Sequence, residues 1–135
     1  MEADALFESI NTPEGDPVPS SGRQNSIMAG LNCGEVSLSA WPVVRRGVEL
    51  FLTVEDRYAE AAMRKLAHPV DGDAPIVAGE SGAAGIAGLL ALLAAPELGL
   101  ASEFLELGPG RRVLVINTEG DTDPAGYRRI VGVPE

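Results

Sequence analysis

The chain has 135 residues, 45% of them hydrophobic and 22% charged, which is the make-up of one globular domain with a real core and not of a disordered polymer. A net charge of -10 and an isoelectric point near 4.5 repel phosphate backbones and anionic lipid, so neither nucleic-acid nor membrane-surface binding is expected. No run approaches the roughly 20 apolar residues of a membrane span, and Met1-Glu2-Ala3-Asp4 lacks a basic secretory leader, so a cytoplasmic protein is expected.

Cysteine and lysine usage narrow the chemistry further. Cys33 stands alone, which rules out an internal disulfide and a cysteine cage for a metal, and it reads as a small buried apolar residue. The basic residues are nine arginines and a single lysine, Lys65.

Taken in chain order, residues 11–25 hold Pro13, Gly15, Asp16, Pro17, Pro19, Ser20, Ser21 and Gly22 with little apolar between them, and read as an irregular, mobile surface segment. Leu38 to Leu50 spaces Leu38, Trp41, Val44 and Val48 three or four apart, predicting a helix with Ser39 as N-cap and Pro42 in its first turn. Glu49 to Val54 reads as a short strand. Thr53 and Asp56 stand three apart ahead of Tyr58, Ala61, Ala62, Met63 and Leu66, a capping-box-like start to a second helix that stops before Pro69. His68, at its end, suits the helix dipole better than acid–base work, and Lys65 beside Arg64 faces solvent.

Pro75 to Ala78 predicts another strand, followed by Gly79-Glu80-Ser81-Gly82 and a small-residue helix from Ala83 to Ala95. Arg112 to Ile116 predicts a third strand. It leads through Asn117-Thr118-Glu119-Gly120-Asp121-Thr122-Asp123 into a helix from Pro124 to about Ile130, with proline well placed in the first turn. This alternation predicts an α/β architecture in which helices cover the faces of a parallel sheet.

Ligands of such sheets gather at the loops between strand ends and helix starts, and two loops here carry suitable groups. Gly79, Gly82, Gly85 and Gly88 permit a sharp turn and close helix packing, and the amides opening the helix can face an anion. Glu80 sits poorly with a phosphate there, no Walker lysine is present, and close packing by small residues explains the glycines on their own. In the second loop three carboxylates suggest a divalent cation, but Asp and Thr before a helix are what capping selects. Asn117 and Thr118, at the strand end, are the better partners for a ligand heterocycle.

Three ordered blocks, Ser26-Ile27-Met28-Ala29-Gly30-Leu31-Asn32-Cys33-Gly34-Glu35, Ala78-Gly79-Glu80-Ser81-Gly82-Ala83 and Asn117 to Asp123, resemble successive blocks of the diaminopropionate ammonia-lyases, of the tryptophan-synthase-β-like group of pyridoxal-phosphate enzymes. Trp41, Ala62-Met63-Arg64 and Tyr127-Arg128 extend the resemblance over nearly all of residues 3–131. It implies that residues 1–135 form a single partial domain, part of the three-layer parallel-sheet domain of the tryptophan-synthase-β-like fold, from the C-terminal part of a lyase that converts 2,3-diaminopropionate to pyruvate and ammonia, with the coenzyme as electron sink. It further implies that Asn117, where the family commonly has serine, or Thr118 meets the pyridine nitrogen, that Glu80 lies near the ring, and that Gly30, Cys33, Gly34 and Glu35 belong to a loop bordering the substrate.

By the same resemblance the Schiff-base lysine, the phosphate cradle and the proton-abstracting aspartates lie upstream of Met1, and Lys65 matches none of them. The isolated chain is therefore expected to have no catalytic residue, to bind no coenzyme by itself and to be inactive. Pairing with an N-terminal half, or self-association through uncovered strand edges and apolar faces, is expected, the intact family forming a homodimer. The alternatives are a noncatalytic α/β module that completes a partner chain or binds a small anion, and a fragment of a threonine dehydratase-like deaminase.

Overall fold

A computed structural model describes residues 2–70 and 72–132. The chain divides into two compact units, Met1–Thr53 and Val54–Glu135.

In the first unit, helix α1 (Ala5–Ile10) presents Ser9, which is fully buried. The Ser9 hydroxyl accepts from the Val18 amide at 2.9 Å and contacts the Val18 carbonyl at 3.2 Å, so one side chain satisfies both backbone groups of a residue in the irregular stretch. That stretch, residues 11–25, contains no helix or strand. Further bonds fasten it to α1: Ser20 donates to Asp4 Oδ1 at 2.7 Å and Ser21 to Glu8 Oε1 at 2.6 Å. Helix α2 (Trp41–Gly47) is shorter than predicted. Its N-cap position is taken by Ala40, without a side-chain cap, and not by Ser39, whose hydroxyl is instead 3.0 Å from that of Ser37. Trp41 is the buried residue of α2; its indole donates to the Gly15 carbonyl at 3.0 Å and its ring lies 6.3 Å from that of Phe51. The indole thus fills apolar volume while its one polar atom stays paired.

The second unit is built on helix α3 (Asp56–Ala67), which packs against α4 (Ala84–Ala94) and α6 (Pro124–Val131). Asp56 in the first turn and Arg64 and Lys65 in the last complement the dipole of α3, and the helix stops short of Pro69. The N-cap position of α3 is Glu55 with no side-chain bond, so the capping box expected from Thr53 and Asp56 does not form. Ala59, Ala62 and Met63 of α3, Ala87, Ala91 and Leu92 of α4 and Ile130 of α6 are buried. Small residues facing each other let the helix backbones approach, and Met63 fills the remaining space. A 3-10 turn (Pro96–Leu98) and helix α5 (Gly99–Phe104), neither foreseen, follow α4. No single helix among the described residues is long and apolar enough to cross a membrane.

The predicted parallel-sheet architecture is not present. Among the described residues there is no strand: residues 49–54, 75–78 and 112–116 carry no regular hydrogen-bonded ladder. The physical cause is a shortage of partners. Parallel strands are stable when flanked by further strands and covered on both faces, and an isolated pair is marginal. Here Val113, Leu114 and Ile116 are 52%, 91% and 74% exposed, so β-forming side chains have nothing to pack on.

Met63 is the largest fully buried side chain among the described residues. Met63→Ala is expected to destabilise it by about 2–5 kcal/mol, whereas Lys65→Ala, on the exposed side of α3, should stay within about 0.5 kcal/mol of wild type; urea denaturation of the two variants checks the contrast.

Candidate functional site

Both loops singled out from the sequence belong to the second unit, and the structure joins them. The Gly79 amide donates to the Glu119 carbonyl at 3.0 Å, and the Asn117 side-chain amide donates to the Val77 carbonyl at 3.0 Å. These bonds hold the two would-be strand ends side by side without a ladder. The Asn117 side-chain oxygen in turn accepts from the Glu119 amide at 3.2 Å.

Glu119 ties the two loops together. Its Oε2 accepts from the Ser81 amide at 3.0 Å and its Oε1 from the Thr122 hydroxyl. The Thr122 bond, with further bonds from Ser81 and from the Gly82 amide, holds its carboxyl below the usual glutamate range against the opposing effect of burial. The amides ahead of α4 do face an anion, as their position predicts, but that anion is a carboxylate of the same chain.

Gly79 and Gly82 are required by this arrangement. A Cβ at Gly79 would collide with the Gly120 carbonyl, and one at Gly82 with the Asn117 side-chain oxygen and the Glu119 carbonyl. Close packing therefore accounts for these glycines, and what packs on them is the 117–120 loop.

Of the three carboxylates weighed as a cation site, Glu119 is spent on the turn, and Asp123 caps α6 by accepting from the Ala125 amide at 3.2 Å. Among the described residues no three His, Cys, Asp or Glu side chains come together to hold a metal ion. Glu80 turns toward the start of α6: its Oε1 would stand 3.0 Å from a Cβ at Gly126, where the helix dipole favours negative charge. Thr118 is exposed.

Gly30, Cys33, Gly34 and Glu35 lie in the first unit, around a 3-10 turn (Ala29–Leu31). Asn32 folds this segment back by donating to the Ser26 carbonyl at 2.8 Å and accepting from the Ser26 amide at 3.2 Å. The Gly34 carbonyl accepts from the Ser20 amide at 2.8 Å. Cys33 is exposed, contrary to the expectation of burial, because so tight a turn leaves its side chain outside.

Sequence reasoning missed Glu119 as the residue that joins the loops. The local signal was the three-residue spacing of Glu119 and Thr122; its other partner, Ser81, lies 38 residues away.

The chain is 37% identical over 131 residues to the diaminopropionate ammonia-lyase of Salmonella typhimurium and 39% identical over 130 residues to that of Escherichia coli, covering 96% of itself and 32% of each relative. Its structure matches, at a TM-score of 0.82 and 38% identity, the Escherichia coli enzyme in complex with an aminoacrylate-PLP azomethine reaction intermediate, again over 96% of this chain and 32% of that one. No family model matches. The chain is thus similar over nearly all its length to diaminopropionate ammonia-lyases, and it spans about a third of the length of the relatives it matches.

Whether these residues suit the coenzyme depends on the groups they leave available. Asn117 has one amide hydrogen engaged by Val77 and retains a second, and Thr118 offers an exposed hydroxyl, so either can meet a ring nitrogen. Both are donors of the type that a heterocycle nitrogen accepts from. For covalent capture the one lysine, Lys65, is exposed in the last turn of α3, and the turn amides that could face a phosphate already face Glu119.

Two outcomes follow from the geometry. Gly82→Ala is expected to cost about 1–3 kcal/mol, because backbone must move to admit the methyl. Since the folded Glu119 carboxyl is held below its unfolded value, the stability it adds is fully present above the unfolded value and is lost as pH falls through the folded one. Denaturation at a series of acidic pH values should accordingly show a flatter dependence in Glu119→Gln than in wild type.

Proposed function

We propose that this chain supplies the ring-edge portion of a pyridoxal-phosphate-dependent ammonia-lyase acting on 2,3-diaminopropionate, and that it works with a complement equivalent to the remaining two thirds of its relatives. The observation that carries the reading is the union of the 79–82 and 117–123 loops through Glu119 in a chain that follows the lyase over nearly all its length. In this reading Thr118 or Asn117 bonds the pyridine nitrogen and Glu80 borders the ring. Gly30, Cys33, Gly34 and Glu35 border the substrate. The coenzyme, when bound, supplies the electron sink. This chain's residues orient it and exclude water, and the amine that captures it comes from the complement.

The exposed Val113, Leu114 and Ile116 support the same reading, since an apolar run left in water is a surface for pairing. Without its complement the chain is inactive and self-associates, and with it the assembly takes the homodimeric form expected of the family in a cytoplasmic setting.

The test is co-expression with the missing two thirds taken from a relative. The chain alone, given pyridoxal phosphate and diaminopropionate, is expected to show no coenzyme absorbance band and to release no pyruvate, while the pair does both. Pyruvate release by the chain alone, or a pair that assembles but never binds coenzyme, would overturn the proposal.

A further inference from the structure

The Glu119 carboxylate meets a local structural need and then goes beyond it. The buried turn ahead of α4 asks for an acceptor at the Ser81 amide, but a loop such as 117–123 can be closed by Asp123 alone, which already caps α6. Glu119 spends one oxygen on the Ser81 amide and the other on the Thr122 hydroxyl, while its own amide is gripped by Asn117. Asn117 is gripped in turn by Val77. The backbone on both sides of Thr118 is thereby fixed, and residue 118 is left exposed as the one position of the 117–119 segment that no bond among the described residues engages.

We propose that Glu119 is a positioning residue for the coenzyme: by bridging Ser81 and Thr122 it holds the Asn117–Thr118 edge in the orientation that meets the ring nitrogen. The inference rests on the lyase reading above and adds a role to a side chain that does not itself touch the ring. Carboxylate geometry suits the task, because two acceptor oxygens in one rigid plane can receive donors from two loops at once. Glutamine offers one acceptor and one donor, so it can satisfy Ser81 or Thr122 in the observed sense, and it lacks the charge that strengthens both bonds. The lowered pKa of the carboxyl agrees with an anion held by the hydrogen bonds of Thr122 and Ser81.

The experiment uses the full chain and three variants, Glu119→Ala, Glu119→Gln and Thr122→Val, in two arms. In the chain alone, amide hydrogen exchange at Ser81 is expected to speed by roughly tenfold or more in Glu119→Ala, as loss of a charge-assisted bond implies. The Asn117 side-chain amide resonance should shift in all three variants. Unchanged exchange at Ser81 together with an unmoved Asn117 resonance would reject the bridge. In the chain paired with its complement, coenzyme absorbance and circular dichroism report ring orientation, which a merely structural role would leave alone once the pair has assembled. Wild-type pairs are expected to give a signal that Glu119→Ala changes in shape or position and that Glu119→Gln changes less. An unaltered coenzyme signal in Glu119→Ala beside a normal wild type would reject the positioning role by itself; an assembled wild-type pair with no coenzyme signal would reject the lyase reading instead.

Discussion

A buried amide must find an acceptor, and at the turn ahead of α4 that requirement is met by a side chain from another loop. Ser81 and Gly82 are buried, so leaving their donors unpaired would cost about 1–3 kcal/mol each. Glu119 removes that cost, and in doing so it decides where residues 117–123 run. Gly79 and Gly82 follow from it, because the loop can reach the turn only where no Cβ intervenes. The order of dependence therefore runs from an electrostatic need at a helix start, to the path of a loop, to the choice of glycine, and last to the exposed edge at Thr118.

Much of the helical content was legible in the sequence. Helix α3 is marked by its apolar spacing, its charge distribution and Pro69, and α6 by Asp123 and Pro124, which are signals written within a few residues of where they act. The boundaries of α2 were less legible, since Ser39 has the chemistry of a cap yet pairs with Ser37. The strands were misread for a deeper reason. Residues 112–116 have strand-forming side chains, but β structure depends on neighbours supplied from elsewhere, and a one-dimensional pattern does not say whether they are in the chain.

The candidate site divides along the same line. That Asn117, Thr118 and Glu80 stand at two chemically rich loops could be read from residue types, and so could the anion preference of the turn. The identity of the anion could not. Glu119 looked like one of three loop carboxylates, and only the fold reveals that Ser81, far away in sequence, claims it while Asp123 goes to a helix cap. Family resemblance supplied what local chemistry lacked, because three ordered blocks constrain one another even when each is weak alone.

Helix α6 is fastened at both ends. Asp123 secures its start, and at its finish Arg64 donates to the Ile130 carbonyl at 2.8 Å while the His68 imidazole lies 3.1 Å from the Val131 carbonyl. With both ends held, α6 takes its axis from the last turn of α3, and that axis sets the direction in which the loop ending at Asp123 has to arrive.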